Sequence, residues 1–227
     1  DGGADADTVE LAPGIAVGTL TGRGTGNDDD TLIAAGAVSN TWVLSSLNNG
    51  FLNAQVFSDF ENLTGGGASD TFTFIGSLSG TAAGGGGDDV FGVLSGTAAA
   101  YAGNAGSDWL NYAGAAGPVT LTVDGLAASS IETVTGSGSG NDVLRGSAAN
   151  DVFTTSSGNA GTVNGLVSYS SFEFLEGLGG SDTFNLSHGV SGGVAGGGND
   201  DTFNVGNSLL DTSIDGGTGT DTLAPVG

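Results

Sequence analysis

Cysteine, methionine and lysine are absent from this 227-residue chain, and its only basic side chains are Arg23 and Arg145, set against 25 Asp and Glu. Each absence excludes something. Without cysteine there are no disulfides and no thiolate metal sites. A formal charge of −23 with no lysine excludes nucleic acid as a partner, because phosphate contacts need Lys and Arg. It disfavours anionic membrane surfaces for the same reason, and points to divalent cations as counterions. No apolar run reaches about 18 residues, so neither membrane insertion nor a signal peptide is expected. No ten-residue segment combines a helical apolar period with caps, so almost no helix is expected. Proline occurs three times, at Pro13, Pro118 and Pro225, which suits a chain of stacked strands. His188 is the single histidine. Nothing in its spacing suggests a Ser–His–Asp site, and an exposed or turn histidine is the simpler expectation.

What is abundant is glycine, 46 of 227 residues, where about 7% is usual. Such enrichment can signal disorder, but here it is interleaved with β-forming packets of period two. Thr71-Phe72-Thr73-Phe74 and Val119-Thr120-Leu121-Thr122-Val123 are examples. A disordered acidic tail lacks such packets.

The packets belong to repeats at two scales. The short unit is a glycine-rich turn, an Asp, a small residue and a large apolar residue. It reads Gly-Gly-Gly-Ala-Ser-Asp-Thr-Phe at 65–72, Gly-Gly-Gly-Gly-Asp-Asp-Val-Phe at 84–91 and Gly-Gly-Ser-Asp-Thr-Phe at 179–184. Its aspartates are spaced 19 and 19 across Asp70, Asp89 and Asp108, and 19 and 20 across Asp182, Asp201 and Asp221. The long unit is about 112 residues: Phe57 to Leu63 matches Tyr169 to Leu175, Asp70 matches Asp182, and Asp89 matches Asp201. The copies run approximately over 19–131 and 132–227, and 215–227 echoes 1–15. Residues 1–227 therefore read as a single continuous excerpt of a longer array.

A strong strand packet every 19–20 residues predicts one coil of a solenoid. The expected fold is all-β, a parallel β-helix of about 10–11 coils, right-handed by the usual rule for parallel connections. Phe72, Phe74, Phe91, Phe184 and Phe203 would form its apolar column, and glycine would supply positive φ in the turns. Trp42 and Trp109 are expected to fill the core or cover its end.

Stacked coils would set equivalent aspartates about 5 Å apart, where like carboxylates repel by about 1 kcal/mol even in water. Bound Ca²⁺ would relieve this with carboxylate and carbonyl oxygens. The candidate metal residues are Asp70, Asp88, Asp89, Asp108, Asp142, Asp182, Asp200, Asp201 and Asp221. The plainer alternative is that each Asp caps its turn and stays solvated. Glu61, Glu132 and Glu173, at equivalent positions between apolar neighbours, could ligate metal or bind a turn, and an outward Glu on an alternating strand is the simpler expectation. With so few basic residues and no catalytic constellation, no enzyme is expected.

The short unit resembles the calcium-binding nonapeptide of haemolysin-type (RTX) proteins. Residues 216–224, Gly-Gly-Thr-Gly-Thr-Asp-Thr-Leu-Ala, and 84–92, Gly-Gly-Gly-Gly-Asp-Asp-Val-Phe-Gly, fit it. Elsewhere Ala68, Asn199 and Leu178 depart from it, and RTX coils hold two nonapeptides in 18 residues. The chain as a whole resembles the repeats of filamentous-haemagglutinin-like bacterial surface proteins. These alternate Gly-x-Asn-Asp-x-Leu, Phe-Glu-x-Leu and Gly-x-Asp-Thr-Phe motifs. That resemblance implies export to the cell exterior and a structural role in a surface fibre or giant adhesin. Partners would be neighbouring copies, end to end or lateral, with cell-surface or matrix glycans as further candidates. The RTX likeness implies a Ca²⁺-dependent folding module instead. An ice-binding solenoid is a remoter alternative, since Thr71/Thr73, Thr120/Thr122 and Thr133/Thr135 do not recur at a constant spacing.

Overall fold

Alternation of β-branched or aromatic residues with small polar ones leaves each packet with one apolar side, which a single coil cannot bury alone. Stacking coils buries it, and the computed structural model shows a β-solenoid repeat protein of about ten turns. It describes residues 5–22, 29–127, 129–206 and 212–226, and no helix occurs among them. Arg23, the short-motif copy at Thr25 to Asp28, the first four residues of the N-terminal echo and Gly227 lie outside the described residues.

Two compact units partition the chain, one of 1–114 with 129–131 and one of 115–128 with 132–227. Strands of the first unit are β1 (Thr8–Leu11), β2 (Leu20–Thr21), β3 (Thr31–Ala34), β4 (Thr41–Ser46), β5 (Asn49–Leu52), β6 (Gln55–Ser58), β7 (Asn62–Gly66), β8 (Thr71–Phe74), β9 (Leu78–Gly86), β10 (Val90–Val93), β11 (Ala98–Ala105) and β12 (Trp109–Asn111). Those of the second are β13 (Thr120–Thr122), β14 (Thr133–Thr135), β15 (Val143–Arg145), β16 (Val152–Ser157), β17 (Ala160–Val163), β18 (Val167–Ser170), β19 (Phe174–Leu178), β20 (Thr183–Leu186), β21 (Gly193–Gly198), β22 (Thr202–Val205), β23 (Ile214–Thr218) and β24 (Thr222–Pro225).

In each unit the chain alternates between two sheets, so a coil holds two strands. In the first unit β1-β3-β7-β9-β11 form one sheet and β2-β6-β5-β4-β8-β10-β12 the other. In the second, β13-β15-β19-β21-β23 face a sheet running β14-β18-β17-β16-β20-β22-β24. Successive coils pair in parallel, in unbroken register at Thr71↔Val90↔Trp109 and Thr183↔Thr202↔Thr222 and with one shift between Ala98 and Ala100 where β11 meets β9.

A purely parallel stack of even coils is not what the chain makes. Each unit inserts an antiparallel meander, β4-β5-β6 in the first and β16-β17-β18 in the second. These insertions lengthen the axial step from 19 residues to 30 or 31, as between Asn40 and Asp70 or Asp151 and Asp182. They also account for a long repeat of about 112 residues where uniform coils would show only the short one. The turns match between copies: Asn48, Asn53 and Asp59 have positive φ, as do Asn159, Asn164 and Ser171.

Between the sheets runs a column of rings. Trp42 stacks on Phe72 at 5.5 Å and Phe72 on Phe91 at 5.1 Å. In the second unit Phe153, Phe184 and Phe203 stack at 5.0 Å per step with planes 6° apart. All six are buried. Trp109 instead points outward in the same rank as Val90 and Thr71.

Each ring fills a slot one coil high, and its loss leaves a cavity that coils above and below cannot close. Phe184→Ala is expected to destabilise the chain by about 3–5 kcal/mol, whereas Thr183→Ala on the opposite face should stay within about 0.5 kcal/mol. Chemical denaturation of the two variants beside the parent measures the difference.

Candidate functional site

The residue leading each strand sits where the chain turns from one sheet to the other. Its N–H points along the solenoid axis, and the next coil must supply an acceptor for it. In the longer column of the first unit, Asn40 N–H donates to Asp70 Oδ1 at 2.5 Å, Asp70 N–H to Asp89 Oδ1 at 2.7 Å, and Asp89 N–H to Asp108 Oδ1 at 2.8 Å. The second unit repeats the chain of bonds from Asp151 to Asp182 at 2.7 Å, Asp182 to Asp201 at 2.8 Å, and Asp201 to Asp221 at 3.0 Å.

A shorter column leads the opposite sheet of each unit. Asp7 N–H donates to Asp30 Oδ1 at 2.7 Å and Asp30 N–H to Glu61 Oε2 at 3.0 Å. In the second unit Val119 N–H donates to Asp142 Oδ1 and Asp142 N–H to Glu173 Oε2 at 2.9 Å. The longer Glu arm spans the coil that carries the meander. Its other oxygen accepts from the meander's turn, Asn48 Nδ2 to Glu61 Oε1 and Asn159 Nδ2 to Glu173 Oε1. Glu61 and Glu173 thus belong to the columns and do not simply point outward.

The candidate aspartates divide by position. Asp70, Asp89, Asp108, Asp142, Asp182 and Asp201 are buried members of the columns, and Asp221 is an exposed one. Asp88 and Asp200 lie outside the columns on the exposed turns, where their Oδ1 atoms accept from Ser107 and Thr220 N–H. Asp30, Asp151, Glu61 and Glu173 were missed as column members. The signal existed, since Asp30-Thr31-Leu32 and Asp151-Val152-Phe153 carry the same Asp-x-apolar pattern.

Glycine makes the columns possible by lacking a side chain, in addition to its role at positive φ. A Cβ on Gly84 would fall within 3.0 Å of Asp89 Oδ2. One on Gly65 would meet both Asp70 Oδ2 and the Gly84 carbonyl oxygen, and one on Gly177 both Asp182 Oδ2 and the Gly196 carbonyl. The second carboxylate oxygen therefore lies over a bare glycine Cα. Oδ2 of Asp30, Asp70, Asp89, Asp182 and Asp201 is buried there without a hydrogen-bond partner.

Burial is the largest influence on these groups. It pushes the Asp89 carboxyl up to about 7 against the Asp70 N–H bond, with the neighbouring Asp108, Asp70 and Asp88 charges adding to the rise. Burial raises Asp182 to about 6, opposed by the Asp151 N–H and reinforced by Asp201 and Asp151. Asp70, Asp201 and Glu61 are raised for the same leading reason.

Calcium takes about six to eight oxygens. Among the described residues no three carboxylates or imidazoles converge to hold a metal ion. Oδ1 of Asp70, Asp89, Asp182 and Asp201 is occupied by a strand-leading N–H, and Oδ2 packs on glycine. Elsewhere, Arg145 Nε donates to Glu176 Oε2 at 2.7 Å, and the His188 ring nitrogen Nδ1 meets Ser187 Oγ at 3.2 Å. Comparison of the chain with protein-family models, with curated proteins and with solved structures finds no match in any of the three.

Filling the space over a column glycine should break the stack. Gly84→Ala forces its methyl against Asp89 Oδ2 and is expected to destabilise by at least about 1–3 kcal/mol. Gly140→Ala, with nothing within 4 Å of its Cβ, should change stability by less than about 0.5 kcal/mol. Paired melts of the two variants read out the contrast.

Proposed function

We propose that the chain is a non-enzymatic structural segment of a secreted bacterial surface fibre or giant adhesin, of the filamentous-haemagglutinin-like type. The observation that carries this reading is the axial use of its polar groups. Each column joins one coil to the next through buried carboxylates and strand-leading N–H groups. Such bonds resist separation of coils and leave the buried carboxylates turned away from solvent and any substrate. A hydrogen bond contributes about 0.5–1.5 kcal/mol net, and a fibre segment needs such bonds in series along the load axis.

The exterior suits the same role. Net charge far from zero keeps a long chain soluble and discourages indiscriminate association, and here it is −23. Cell-surface location, adhesion and contact with further copies or glycans belong to this proposal and follow from the repeat resemblance.

Electron microscopy of the isolated chain should show elongated particles or fibres. Monodisperse compact globules would reject the proposal. Melts with Ca²⁺, Mg²⁺ or excess chelator separate it from the RTX-type reading. A structural segment should respond to Ca²⁺ no more than to Mg²⁺, whereas a Ca²⁺-dependent folding module loses its β spectrum in chelator.

A further inference from the structure

The space over Gly65, Gly177 and Gly196 contains two acceptors and no side-chain donor. Over Gly65 they are Asp70 Oδ2 and the Gly84 carbonyl oxygen; over Gly177, Asp182 Oδ2 and the Gly196 carbonyl; over Gly196, Asp201 Oδ2 and the Gly216 carbonyl. Both atoms of each pair lie within 3.0 Å of the same point. The carboxylate oxygens there are buried and without a partner, with no side chain between them and the glycine to supply an N–H or O–H. Two lone-pair oxygens forced together away from water repel, and an uncompensated buried carboxylate is strongly disfavoured.

We propose that Asp70, Asp89, Asp182 and Asp201 are held as carboxylic acids, each Oδ2 binding the proton that supplies the missing donor over its glycine, so that the coils lock together on acidification. The ligand of this site is the proton itself. One carboxyl oxygen still accepts the axial N–H, and the protonated oxygen becomes a donor beside the carbonyl of the following coil.

The charged surroundings point the same way. Asp89 faces Asp70, Asp108 and Asp88; Asp182 faces Asp151 and Asp201; Asp201 faces Asp182, Asp221 and Asp200. Asp70 has Asn40 before it and Asp89 after it. No cation figures among the groups acting on any of the four. Arg145 is paired with Glu176. Each acceptor pair offers two oxygens, which a single proton can bridge, whereas Ca²⁺ takes about six to eight.

The folded stack takes up the proton more readily than the unfolded chain does. Its contribution is therefore fully present below the unfolded aspartate value of 3.8. It is lost as pH rises through about 6 for Asp182 and about 7 for Asp89. This runs opposite to ordinary acid denaturation, in which paired carboxylates lose stability as pH falls.

The direct measurement is infrared spectroscopy of the whole folded chain. A carboxylic-acid C=O band should persist at pH 5 to 6, where ordinary aspartates are ionised, and titrate away toward pH 8. Asp89→Asn and Asp182→Asn should each remove part of that band. They should also raise the melting temperature at pH 8 while leaving it unchanged at pH 4. The exposed control Asp124→Asn removes the same charge and should do neither. Three outcomes would overturn the proposal. One is a folded protein with no acid band above pH 5. Another is an Asp89→Asn response matching that of Asp124→Asn. The third is loss of the band at pH 6 on adding Ca²⁺, which would assign the columns to a cation.

Discussion

Everything in this fold depends on the strand-leading N–H finding an acceptor one coil further along. Strand pairing satisfies the backbone within each sheet, but the corner where the chain leaves one sheet for the other would expose an N–H to the interior. A short carboxylate at that corner reaches the preceding coil's N–H, and only at a fixed axial step. The bond therefore sets the coil length: 19, 20 or 23 residues where coils are plain, and 30 or 31 where a meander intervenes.

Two further features follow from that geometry. The carboxylate's second oxygen must go somewhere, and the backbone passing beneath it has to be glycine. Many of the 46 glycines are thereby explained by close approach, while Gly66, Gly85, Gly197 and Gly217 serve positive φ. The rings then stack because the corners fix their register. Phe153, Phe184 and Phe203 repeat at 5.0 Å, close to the strand spacing of about 4.8 Å.

Much of this was legible beforehand. The 19-residue spacing of Asp70, Asp89 and Asp108 reports the axial bond directly, and the alternation in Thr71 to Phe74 reports which face is buried. The meanders were not legible as insertions. Asn48 to Leu52 and Gln55 to Ser58 look like further coil strands, and only the longer step between Asn40 and Asp70 distinguishes them. For Glu61 the outward reading outweighed a turn-binding one because a glutamate between apolar residues on a strand normally faces water. Here its extra methylene lets it reach Asp30 N–H and the meander's Asn48 together. The burial of the aspartates was also hidden, because it depends on what lies over them in the next coil.

The internal repeat separates what the fold demands from what it leaves free. Bonding positions persist across the 111- or 112-residue offset: Asn48 and Asn159, Asn53 and Asn164, Glu61 and Glu173, Asp70 and Asp182. Outward positions do not. The cross-strand rank Val43, Phe51 and Val56 on the first meander becomes Thr154, Thr162 and Ser168 on the second. Ile33, Asn62 and Thr64 become Arg145, Phe174 and Glu176, which include the Arg145–Glu176 ion pair. An apolar outer rank in one copy and a hydroxyl rank in the other cannot both be required by the same coil geometry. The axial bonds hold the inner residues fixed, and the outer face is left to vary with whatever surrounds each copy.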